Sequence, residues 1–183
     1  MLSRRQLAIL SIVLAASLNA AVVAAEEPPS EGAALALDGP RHTLQVDPLT
    51  TALGFVHVQI ERRLADSWSL YVGPHMRLFD GIAHDGDESI RGLGVEAGLR
   101  WFAFGGAPRG FWGQVRAVAA VAEAAGDRMP VGYASALAGH TWILGDRWVL
   151  SAGLGVQYID YAIDDIGTRG VLLAAHTTFG FAF

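Results

Sequence analysis

Apolar and polar positions alternate with a period of two through most of the chain, the spacing that turns successive side chains to opposite faces of a strand. Val56, Val58 and Ile60 share one face of a segment whose other face carries His57, Gln59 and Glu61. Trp68, Leu70, Val72, Pro74, Met76 and Leu78 oppose Ser69, Tyr71, Gly73, His75 and Arg77. Leu93, Val95, Ala97, Leu99 and Trp101 oppose Gly94, Glu96, Gly98 and Arg100, and Trp148 to Tyr158 repeats the arrangement against Ser151, Gly153, Gly155 and Gln157. The pattern predicts eight strands, at about 42–49, 53–64, 67–78, 91–103, 110–122, 131–143, 147–159 and 171–183. Asp47-Pro48 interrupts the first pair, as either a first loop or a bulge in one longer strand.

Three short turn signals, Ala65-Asp66-Ser67, 105–110 (GGAPRG) and Gly145-Asp146-Arg147, lie about forty residues apart. More polar segments at 80–91, 123–130 and 160–170 fall between them and are expected as longer loops. Short turns alternating with long loops predict an all-β, closed, antiparallel up-and-down transmembrane barrel. A weak repeat supports the beat: Asp66, Trp68, Leu70, Gly73 and Asp80 return 80 positions later as Asp146, Trp148, Leu150, Gly153 and Asp160. Ala97-Gly98-Leu99-Arg100-Trp101 likewise resembles Ala138-Gly139-His140-Thr141-Trp142.

One strand face is continuous oil; the other is sparse in charge and rich in glycine. A soluble barrel needs a well-charged exterior, so the oily face is expected to meet lipid and the polar face to line a crowded lumen. That assigns His57, Gln59, Glu61, His75, Arg77, Glu96, Arg100, Gln114, Arg116, Gln157 and His176 to an interior polar network. An unpaired charge there would cost several kcal/mol, so Glu61 and Glu96 are expected to meet Arg77, Arg100 or Arg116. The five tryptophans, Trp68, Trp101, Trp112, Trp142 and Trp148, all lie near the short turns, as an interfacial aromatic girdle requires.

Composition narrows the setting. Of 183 residues, 52% are apolar and 17% charged, below the roughly 25% charge of soluble domains. Arg4 and Arg5, an apolar run to about Val23 and the small residues before Glu26 read as a cleaved export signal over 1–25. Residues 26–40 are expected as a flexible periplasmic lead-in, and 41–183 as the barrel. The formal charge of −5 without a basic run gives nucleic-acid binding no support, and the absence of cysteine excludes disulfides and thiolate chemistry.

Phe179, Phe181 and Phe183 alternate on one face up to the last residue. This tail resembles the carboxy-terminal signature of outer-membrane barrels, whose final aromatic is read by the barrel assembly machinery. With the strand pattern, residues 41–183 resemble the small outer-membrane barrel superfamily that includes OmpA-like, OmpX-like and lipid A deacylase barrels. Val46-Asp47-Pro48-Leu49, Ile60-Glu61-Arg62-Arg63-Leu64 and Trp68-Ser69-Leu70 are similar to small bacterial barrels grouped only as domains of unknown function. The resemblance implies the outer membrane of a Gram-negative bacterium, with lipid and lipopolysaccharide as surroundings and a monomeric barrel; it implies no activity.

Few residues carry a recognisable chemical signature. His57, His75 and His176 could join Glu61 or Glu96 in a catalytic or metal-binding cluster, or merely hydrogen-bond within the lumen. No His-x-x-x-His spacing favours a metal, and no cofactor, metal or catalytic residue is assigned. A deacylase would need His and Ser two residues apart on the lipid-facing wall; His140-Thr141-Trp142 and His176-Thr177-Thr178 lack the Ser. His84, Asp85 and Ser89 share a loop in the manner of an acyltransferase site, and Asp85-Gly86-Asp87-Glu88-Ser89 clusters oxygens without completing a Ca²⁺ loop. Glu123, Asp127, Asp164 and Asp165 add acidity to the outer loops, which could touch lipopolysaccharide through bridging cations. The expected function is a non-enzymatic shell with a structural or surface-interaction role. The alternatives are a lipid A-modifying enzyme of deacylase or acyltransferase type, and a soluble periplasmic lipid-binding barrel with its faces reversed.

Overall fold

The computed structural model describes residues 39–78, 90–104, 106–163 and 166–183. The expected export signal, the lead-in up to residue 38, the loop carrying His84, Asp85 and Ser89, and Asp164 and Asp165 lie outside them.

Eight strands close into an antiparallel up-and-down barrel in chain order. They are β1 His42–Val46, β2 Phe55–Ala65, β3 Trp68–Arg77, β4 Arg91–Phe102, β5 Gly110–Ala124, β6 Asp127–Leu144, β7 Trp148–Ile163 and β8 Ile166–Ala182. A five-residue helix, α1 Pro48–Ala52, joins β1 to β2. The Asp47-Pro48 break is therefore a helical connection. Pro48 opens the helix where its missing N–H costs nothing, and the Asp47 side chain accepts from Thr50 N.

Closure depends on a short seam. β1 meets β8 over four residue pairs, from Thr43 opposite Ala182 to Val46 opposite Phe179. Beyond them Asp47 takes over. Its buried carboxylate accepts from Thr177 Oγ1 at 3.0 Å and Thr177 N at 3.3 Å, tying α1 to β8 where the ladder stops.

Two expected long loops are instead tall hairpins. β5 and β6 continue to Ala124 and Asp127, joined by Ala125 (φ 51) and Gly126 (φ 91). Two left-handed residues in a two-residue loop are the tight turn that matches strand twist. β7 and β8 likewise run to Ile163 and Ile166. Polarity along these strands marks where the wall stops being oily, not where pairing stops. Glu123 meets Arg128 at 3.3 Å and Asp160 meets Arg169 at 2.7 Å, both as cross-strand neighbours on this polar extension.

The faces sort as the alternation requires. Leu93, Val95, Leu154, Val171 and Leu173 stand outward and exposed, whereas Thr43, Gln45, Ser69, Thr141 and Ser151 point in and are buried. Phe179, Phe181 and Phe183 face out, with the Trp148 ring 5.3 Å from Phe179 and 4.5 Å from Phe181.

Trp68, Trp101, Trp142 and Trp148 also face out near the short turns, but Trp112 does not. It points inward and is 3% exposed, while its neighbour Phe111 takes the outward position. The reason is parity: Trp112 shares its face with Gln114 and Arg116. Gly139 and Gly153, directly opposite each other on β6 and β7, make its seat. A Cβ on either would come within 2.4 Å of the indole ring.

Candidate functional site in the barrel interior

The interior is layered. Near the short turns lie Phe102, Ala107, Trp112, Leu137 and Ala174, with Ile143, Val149 and Ala182 as a second dry group. At the opposite end Ile90, Ala120, Ala122, Ala124, Val131, Ile159, Tyr161 and Ile163 form a larger apolar cluster. Two polar stations lie between.

The first centres on Glu61 and Arg100, both buried and 3.0 Å apart. Thr43 Oγ1 (3.3 Å), Gln45 Nε2 (2.9 Å) and Ser69 Oγ (2.5 Å) also donate to the Glu61 carboxylate. Arg100 donates Nε to Gln114 Oε1 at 2.5 Å and Nη2 to His176 Nε2 at 2.6 Å. Its guanidinium lies 4.8 Å from the Trp112 ring and 5.2 Å from that of Tyr71. Gln114 Nε2 reaches Tyr71 OH at 3.1 Å, and Thr178 Oγ1 donates to Gln45 Oε1 at 2.5 Å. A buried carboxylate and guanidinium survive only when their remaining valences are met, and here the neighbouring strands meet them.

The second station holds His57, His75 and Glu96. His57 and His75 are directly opposite on β2 and β3, with ring centroids 4.8 Å apart. Glu96 approaches from β4, and its Oε2 meets His57 Nδ1. Tyr133 OH lies 3.3 Å from His57 Nε2. Arg116 donates Nε to Ser135 Oγ at 3.0 Å and stands 5.3 Å from the Tyr133 ring. Arg77 lies over Phe55 at 4.8 Å and Tyr161 at 5.9 Å. The expected carboxylate–arginine pairing therefore holds for Glu61 but not for Glu96, whose partner is histidine. The cause is position: His57 is set beside Glu96, while Arg77 and Arg116 settle on aromatic faces.

Of the expected lumen residues, Gln59 is buried with Nε2 unpartnered among the described residues. Gln157 faces in between Ser135 and Leu172 but is only half-buried. His140 differs from His176. It sits on the outer wall between Phe111 (4.5 Å) and Trp142 (4.4 Å), so the two His-Thr pairs face opposite ways. Ser69 and Tyr71, which alternation places on the polar face, join the interior network as expected. Thr43, Gln45, Tyr133 and Asp47, to which the sequence assigned no interior role, join it too. Their parity relative to His57, Glu61 and His75 is the signal that could have found them.

No protein-family model matches the chain, and neither does any curated protein.

Proposed function

We propose that this chain is an outer-membrane β-barrel of the small OmpA/OmpX-like type, exported with a cleaved signal peptide. In this reading it is a non-enzymatic shell with a structural or surface-interaction role, standing as a monomer in lipid and lipopolysaccharide. The observation that carries the reading is the outer wall. It exposes a continuous apolar belt, including Leu93 (66%), Leu154 (72%) and Leu173 (88%), which in water would be an aggregation surface. A closed barrel is one of the two backbone designs that lipid tolerates, because closure pairs the first strand with the last. Trp68, Trp101, Trp142 and Trp148 gather near one rim, the position at which indole prefers the membrane–water boundary. The terminal Phe179-x-Phe181-x-Phe183 suits recognition by the barrel assembly machinery. With the short turns on the periplasmic side, the tall β5–β8 hairpins face outside.

A non-enzymatic role is supported by the station around Glu61 and Arg100, whose buried polar side chains hydrogen-bond one another across strands. The test is membrane fractionation of expressing cells, electrophoresis with and without heating, and mass spectrometry of lipid A. Expected are outer-membrane recovery, heat-dependent mobility and unchanged lipid A. Altered acylation would move the reading to a lipid A-modifying enzyme. Recovery as a freely soluble periplasmic protein would refute the membrane placement.

A further inference from the structure

The second polar station combines features that a simple hydrogen-bond network does not explain. His75 is wholly buried, and neither ring nitrogen has a hydrogen-bond partner among the described residues. Buried polar atoms in native proteins are nearly always paired, so two idle nitrogens on one imidazole call for a ligand. The walls around that ring are Phe55 (5.5 Å), Tyr161 (5.9 Å), Tyr133 (5.7 Å) and the His57 ring. Beside it, one donor atom each from His57, His75 and Glu96 lies within 4.8 Å of the other two, and all three side chains are buried.

We propose that His57, His75 and Glu96 form a binding site for a divalent transition-metal ion of the zinc class inside the barrel. Two imidazoles and one carboxylate are the donor set that such ions accept in four-coordinate sites, with the last position left to a small ligand. Ligation at about 2.0–2.2 Å asks the longest donor separation, 4.8 Å at most, to close by about 1.5 Å and the close His57–Glu96 contact to open by about 1 Å, both within reach of side-chain torsions. A metal ion would displace the Nδ1 proton that now faces Glu96, leaving His57 to ligate through Nδ1 while Nε2–H turns to the Tyr133 oxygen 3.3 Å away. Calcium and magnesium fit poorly, since they require six or more oxygen ligands and the site offers one carboxylate. Arg116, which stands over Tyr133, opposes any added cation, so binding must come from nitrogen ligation rather than bulk charge.

The three donor side chains are buried in the folded barrel, so the ion is supplied during folding. The purified chain is folded into detergent micelles with Co²⁺ or Zn²⁺, freed of excess metal, and assayed by elemental analysis and visible absorption. The expected result is about one ion per chain and cobalt ligand-field bands of a low-symmetry nitrogen–oxygen site. His75→Phe fills the same space without nitrogen donors, and Glu96→Gln keeps the shape without the charge. Each is expected to weaken binding by about tenfold or more while heat-dependent mobility stays normal. His42→Ala and His140→Ala, remote from the site, are expected to bind as the parent does. Less than about a tenth of an ion per folded chain overturns the proposal, as does undiminished binding by folded His75→Phe. If Glu96→Gln does not fold, His57→Phe decides the same question.

Discussion

The Asp47 carboxylate and the Thr177 backbone N–H, 130 positions apart, meet at 3.3 Å, and the Thr177 hydroxyl donates to the same carboxylate at 3.0 Å. One side chain thus caps the helix after the first strand and anchors the last strand beyond the end of their ladder. Loss of an N-cap acceptor costs about 1 kcal/mol, and stranding a buried donor adds about 1–3 kcal/mol. Asp47→Ala is therefore expected to lower unfolding stability by roughly 2–4 kcal/mol, measured as a urea midpoint in vesicles. Asp47→Asn, which keeps an acceptor oxygen, is expected to recover part of the loss. Equal midpoints for Asp47→Ala and the parent would mean that the seam is held by the four strand pairs alone.

Arg100 and Glu61 are expected to behave as a unit. Removing one partner of a buried pair costs about 3–5 kcal/mol because the other charge is left alone, whereas replacing both with apolar groups costs less. Arg100→Met and Glu61→Leu are each expected to be severe, and the double variant milder than their sum. A double-mutant cycle with no coupling would show that the hydroxyls and amides around each charge suffice.

Trp112 rests on two glycines, so Gly153→Val is expected to push the indole from its seat. Overpacking of this kind costs typically about 1–3 kcal/mol. Displacement would also shift the tryptophan emission towards the red, while Gly113→Ala, whose added Cβ meets nothing within 4 Å, leaves it unchanged.

The apolar belt makes a sharp statement about depth. Leu154→Arg on the outer wall is expected to destabilise the barrel in lipid vesicles by about 2–4 kcal/mol, the cost of arginine near a bilayer midplane. Arg169→Leu, on the polar extension, is expected to leave stability nearly unchanged, because an exposed ion pair contributes little. A tolerated Leu154→Arg would count against lipid contact at that face.

Strand number, order and facing were legible because period-two alternation reports directly on which side of a sheet is dry. Residues such as Val72 and Leu93 therefore fell on the correct face without any tertiary information. The errors arose where one signal stood for two causes. Glu123 to Pro130 is polar because the wall there has left the oily belt, yet its backbone remains paired up to Ala125-Gly126. Trp112 lies near a short turn like the other tryptophans, but the parity of its own strand outweighs that proximity. The grouping of His57, His75 and Glu96 was one of several histidine–carboxylate combinations that the sequence left open. Spacings of 18 and 21 residues carry no metal signature, and only hairpin register brings the three together.

The tall hairpins alter what the rim opposite the short turns can offer. β1 to β4 span 5 to 12 residues, β5 to β8 span 15 to 18, so one side of the barrel rises as a paired parapet. Glu123 with Arg128 and Asp160 with Arg169 are displayed there on hydrogen-bonded backbone. A partner docking on this parapet has little main-chain freedom left to freeze, so the ordering cost that weakens recognition by floppy loops is largely met when the barrel folds.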